Sequence, residues 1–84
     1  MPIALRSGPY RFYFYAYDCM EPRHMHVDRE KFSAKLWLDP DLRIAENIGY
    51  GRRELREIER IARQHMELLR REWDGFCGSD AGAN

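Results

Sequence analysis

Apolar residues recur along this chain with two different periods. Up to about residue 48 they alternate with polar ones, the two-residue repeat of strands with one covered face. From residue 51 they return every three or four positions, the repeat of an amphipathic helix. The spacing predicts a short strand over 3–6, a central aromatic strand over 10–18, a third over 23–28 and a fourth over 33–39. Turn chemistry separates them: Ser7-Gly8-Pro9, residues 19–22, the tight connection 29–32, and Asp39-Pro40-Asp41. Residues 42–48 are either a fifth short strand or a helical turn, with the extended form favoured. Leu55, Ile58, Ala62, His65, Leu69, Trp73 and Phe76 then predict one helix over about 52–74. Gly51 stands at its cap, Glu54 at the third position of a capping box, and Tyr50 and Leu55 at the spacing of a hydrophobic staple.

Alternation also sorts the strand side chains. Phe12, Phe14, Ala16, Met25, Val27, Ala34, Leu36 and Leu38 fall on one face, which a single helix must cover. Arg11, Tyr13, Tyr15, Tyr17, His24, His26, Asp28, Lys35 and Trp37 fall on the other. The expected fold is α+β: an antiparallel sheet of three to five strands with one long C-terminal helix packed on one face. It forms a single domain over 1–77, followed by a small, polar, flexible tail over 78–84.

Composition narrows the classes. A chain of 84 residues holds one domain that buries roughly 60% of its unfolded surface. Hydrophobic residues at 44% against 33% charged indicate a globular chain. The net charge is zero, so no overall basic field draws it to nucleic acid or acidic lipid. The longest uncharged apolar run, residues 12–17, is too short to span a bilayer. The start, residues 1–10, is broken too soon by Gly8 and Pro9 for a signal peptide. Cys19 and Cys77 are the only cysteines and are expected as free thiols in a reducing cytoplasm.

The chemistry concentrates on the second face. Three tyrosines and a tryptophan are more than a solvated sheet face usually carries, and contiguous exposed aromatic surface marks an interface. The expected binding face is Arg11, Tyr13, Tyr15, Tyr17, Arg23 and Trp37. His24 and His26, two apart on a strand, point the same way. They are metal candidates with Asp28, while Glu21, Cys19 and Asp39 lie near enough in sequence to approach. Zinc wants three or four ligands, so a transition metal such as zinc depends on a further group; no cofactor is otherwise expected. They are also candidate acid–base groups, with His26 as base and Lys35 or an arginine facing developing negative charge. The simplest alternative packs both rings between tyrosines. His65 lies on the helix's apolar stripe, on the opposite side of the sheet, as a core residue.

Four stretches, "LRSGPYRFYFYAYD", "EPRHMHV", "SAKLWLDP" and "GRRELREIERIARQH", together with Trp73, resemble a family of small prokaryotic proteins. That family is classed only as a domain of unknown function, number 4160 in its series. The resemblance runs from about residue 2 to 76 and is most specific over Glu21–Val27 and Ala34–Leu38. Arg23, Met25 and Gly51 depart from the family's usual residues. The resemblance implies a small αβ domain, often encoded beside another short protein in an arrangement similar to toxin–antitoxin modules. It carries no catalytic residue onto this chain.

Three readings follow. The leading one is a small cytoplasmic interaction protein of a toxin–antitoxin-like two-protein module, working as a homodimer or with a small partner encoded nearby. The second is a histidine-dependent RNA-cleaving or metal-dependent hydrolase using His24, His26 and Lys35. The third is a nucleic-acid-binding domain without catalysis. None involves a membrane.

Overall fold

The computed structural model describes residues 2–78. In chain order come β1 (Ile3–Ser7), β2 (Tyr10–Tyr13), a 3-10 turn (Ala16–Met20), β3 (His24–Arg29), β4 (Phe32–Trp37), β5 (Arg43–Ile48), α1 (Arg52–Gln64) and α2 (Met66–Cys77). Each strand pairs antiparallel with its neighbour in sequence, giving a meander in the order β1-β2-β3-β4-β5. Short turns make this possible. Ser7 pairs with Tyr10 across Gly8-Pro9, and Gly8 supplies the positive φ of +55° that such a glycine-first connection needs. The chain is thus α+β with a five-stranded antiparallel sheet, and residues 43–48 form the fifth strand. No helix among the described residues is long and apolar enough to cross a membrane. The tail over 79–84 lies outside the described residues.

The inner face follows the alternation. Phe12 pairs with Val27, Val27 with Ala34 and Met25 with Leu36, so their side chains share one side of the sheet. All are buried, with Ile58, Ile61, Ala62, Leu69 and Trp73 in the same core. Each fully buried large side chain contributes about 1.5–3 kcal/mol. The crossing from β5 into α1 is held by Asn47, whose Oδ1 accepts the Tyr50 N–H at 3.1 Å and whose Nδ2 donates to the Tyr50 carbonyl at 2.9 Å. Gly49 lies between them at φ +101°, where a Cβ would run into the Phe32 ring. The Tyr50 hydroxyl donates to the Val27 carbonyl at 2.9 Å, fastening the start of α1 to the sheet.

Four expectations are corrected. The single long helix is two, broken at His65 (φ −119°, ψ 22°). The His65 N–H is shared between the carbonyls of Ile61 and Ala62, at 3.2 and 3.1 Å, and its ring Nδ1 also sits 2.9 Å from the Ile61 oxygen. A side chain drawn onto the i−4 carbonyl competes with the helical ladder. The apolar repeat continues through the break, which is why spacing alone hides it. Second, Glu54 makes no capping box. Its carboxylate takes the Arg29 guanidinium and the Tyr10 hydroxyl, the latter at 2.9 Å.

Third, the aromatic strand ends at Tyr13, not at residue 18. Asp18 accepts the Tyr15 N–H at 2.8 Å while its own N–H donates to the Tyr15 carbonyl at 2.9 Å. This reciprocal clasp closes a 3-10 turn where alternation predicted extended chain. Phe14 stays on the buried side, but Ala16 is exposed rather than under a helix. Fourth, Cys19 and Cys77 are not free: they form a disulfide with a Cα separation of 5.4 Å. It ties the 3-10 turn to the last turn of α2.

Two measurements check these anchors. Cys77→Ser closes no loop across the 58-residue separation and is expected to cost about 4 kcal/mol in urea unfolding; wild-type stability in the variant would contradict the cross-link. The Arg29 guanidinium, aided by the Tyr10 hydroxyl and opposed by burial, holds the Glu54 carboxyl below its ordinary 4.5. A lowered carboxyl stabilises the fold above its unfolded value and loses that contribution as pH falls through the folded value. Glu54→Gln is therefore expected to lower the melting temperature at neutral pH, with the gap to wild type closing in acid.

Candidate functional site

The end of β2 creates the site. Tyr13 is the last β2 residue in the ladder and pairs with His26, so His24 lies two residues beyond the last pair. The chain leaves the sheet there, and the 3-10 turn and α2 fill the space. His24 is fully buried, with ring centroids 5.5 Å from Trp37, 5.1 Å from Trp73 of α2 and 5.2 Å from His26. Both histidines were expected to face away from the helix; His24 is instead enclosed against Trp73 of α2. His26 is the more open of the two, its side chain 21% exposed between Tyr13 and Tyr15.

Asp18, itself buried, places its carboxylate between the two rings. Oδ2 lies 3.0 Å from His26 Nε2, and Oδ1 lies 3.0 Å from His24 Nε2. The second approach is close in distance but misaligned, so His24 Nε2 meets no hydrogen-bond partner among the described residues. The other nitrogen of His24, Nδ1, is 2.9 Å from the Pro22 carbonyl. A carbonyl only accepts, so Nδ1 carries a proton and Nε2 is the nitrogen turned toward Asp18. A lone pair and a carboxylate oxygen at 3.0 Å repel unless positive charge lies with them. Burial alone pushes the Asp18 carboxyl up; the Tyr15 N–H and the two imidazoles outweigh it and hold the carboxyl below its ordinary value.

The family model of a domain of unknown function, DUF4160, matches residues 10–74. The chain belongs to that family. The matched stretch carries Asp18, His24, His26, Trp37 and Trp73 together. No curated protein and no solved structure matches the chain.

Within this DUF4160 domain the expected site residues separate into groups. His24 and His26 converge, and Asp18 joins them; Asp28 does not. Asp28 accepts the Tyr13 hydroxyl at 2.8 Å and stands 3.7 Å from Arg11. Tyr13 is buried, and that burial, with Asp28 beside it, pushes its hydroxyl well above the ordinary value. Lys35 donates to Glu21 at 2.9 Å and lies 4.5 Å above the Trp37 ring. Arg23 bridges Asp39 at 2.7 Å and Asp74 at 2.9 Å, joining the start of β3 to α2. Tyr15 and Tyr17 leave the sheet with the 3-10 turn and stack at 5.2 Å. His65 stays at the helix break, bonded to Ile61. The residue that spacing missed is Asp18. Its one signal was a lone acid closing an aromatic run, three positions after Tyr15, where its side chain can turn the backbone.

Removing that carboxylate leaves the Tyr15 N–H and an imidazole donor unanswered in a buried place. Asp18→Ala is expected to cost about 3 kcal/mol in chemical denaturation. A loss under about 0.5 kcal/mol, the size of ordinary surface substitutions, would show the clasp to be dispensable.

Proposed function

We propose that the protein is the interaction component of a two-protein, toxin–antitoxin-like module and grips its partner with the 3-10 turn. One observation carries this reading. The turn is fixed from within by Asp18 and by the Cys19 disulfide, yet Tyr17 is 70% exposed and Met20 90% exposed. Large apolar side chains carried into water on a fixed backbone resemble the anchors of an interface, because the backbone's ordering cost is met before binding. Tyr15, stacked on Tyr17, widens the same surface. The family resemblance, with its short neighbouring gene, supplies the kind of partner: a second small protein rather than a nucleic acid.

The other readings have less support. In an RNA-cleaving site the base and the cation must be free to meet substrate. Here His26 Nε2 faces Asp18 and Lys35 Nζ faces Glu21. A nucleic-acid platform needs unpaired cations, and Arg23 and Lys35 are both bonded to carboxylates. The cytoplasmic expectation rested on free thiols, and a joined Cys19–Cys77 pair removes that footing, since such bonds persist in oxidising surroundings.

The test is binding to the co-encoded small protein by calorimetry, with size-exclusion light scattering of each protein alone. Tyr17→Glu and Met20→Glu are each expected to weaken the complex at least about tenfold, or about 1.4 kcal/mol, at unchanged melting temperature. Equal affinity in both variants would refute the assignment of this surface. A stable homodimer split by the same substitutions would replace the partner with a second copy.

A further inference from the structure

We propose that Asp18, His24 and His26 form a binding site for one divalent transition-metal ion, with zinc the ion their donors suit. The ligand atoms, one carboxylate oxygen and two imidazole nitrogens, all lie within 4.8 Å of one another. Two imidazoles and a carboxylate are a recurrent donor set for zinc and its first-row neighbours. Ligands about 2.0–2.1 Å from a tetrahedral ion stand about 3.3 Å apart. The two 3.0 Å approaches use different oxygens of Asp18, and the three single donors, all within 4.8 Å of one another, have to adjust toward that spacing.

The buried state of His24 is an independent pointer. Its side chain is wholly enclosed and its Nε2, aimed at Asp18, has no hydrogen-bond partner among the described residues. The Nδ1 contact with the Pro22 carbonyl fixes which nitrogen carries the lone pair and how the ring is turned. Metal-bound histidines are held by this kind of outer contact, a backbone oxygen taking the proton of the nitrogen that does not bind. With the ring neutral, a cation at this point also answers the repulsion between its Nε2 lone pair and a carboxylate oxygen 3.0 Å away. Binding at His26 Nε2 displaces the proton shared with Asp18, and the neutral ring keeps it by carrying it on Nδ1 instead.

The three ligands come from two elements, β3 and the 3-10 turn, so the ion would join the turn to the sheet. Cys19 supplies no ligand, because its sulfur is in the disulfide. His65 supplies none, because it lies at the break between α1 and α2 and is bonded to Ile61. Access runs past His26, the only one of the three not buried. This reading is independent of the partner surface: the protein can hold the ion whether or not Tyr17 and Met20 meet a second protein.

The experiment uses the oxidised wild-type protein, stripped with a chelator and titrated with zinc and, separately, with cobalt(II). The expected result is one ion per chain and a cobalt visible spectrum of four-coordinate nitrogen–oxygen type. His26→Gln and Asp18→Asn are each expected to weaken binding more than about 100-fold, beyond the loss from disturbing an outer contact. His65→Gln is expected to bind as wild type. Circular dichroism checks that each variant is folded; should one unfold, the wild-type stoichiometry and cobalt spectrum still decide. Failure of folded wild type to bind one equivalent, or unchanged affinity in both His26→Gln and Asp18→Asn, overturns the proposal.

Discussion

A carboxylate placed among buried aromatic rings must have its charge answered, or the chain rearranges to expose it. Asp18 is that carboxylate here, and much of the local architecture follows from how it is answered. Its oxygens take the Tyr15 N–H and face the Nε2 atoms of His24 and His26. The first contact bends the chain out of β2 and closes the 3-10 turn. The others hold the turn against β3. Trp73 then lies against both Phe14 and His24, at 5.0 and 5.1 Å, so the apolar core and the polar cluster share one wall. Arg23, bonded to Asp39 and Asp74, and the Cys19–Cys77 bond fasten α2 over the same corner.

The parts of this design that repeat were legible in the sequence. Val27, Ala34 and Leu36 alternate without interruption, and the tight connections at 8–9 and 30–31 mark antiparallel neighbours. The inner face could therefore be named residue by residue, except at Ala16, which the 3-10 turn carries into water. What escaped was each place where one side chain overrules a period. Asp18 turns an aromatic run that alternates well enough to pass for strand. His65 breaks a helix whose apolar stripe continues on both sides. Glu54 stands where a capping box puts its acid, yet Arg29 and Tyr10 reach it across the sheet. Long-range partners carry no local signature, so spacing assigns such residues to the nearest local motif.

The site shows the same division. The two histidines were legible as a pair because a strand aligns residues two apart. Their third companion was not, because Asp18 reaches them through a turn and Asp28, the residue with matching alternation, is held by Tyr13 and Arg11. The disulfide was out of reach for a related reason. Nothing near Cys19 or Cys77 in sequence indicates that the start of the chain and the end of α2 meet.

The meander has a consequence in time as well as in space. Every strand pairs with its neighbour in sequence, so the sheet can assemble progressively while the chain is still being made. The roof over His24 cannot. Trp73 and Cys77 belong to the last described helix, so the histidine stays wet until α2 docks. The corner that encloses His24, Asp18 and His26 is thus the final piece of the domain to set, with His26 left as its opening to water.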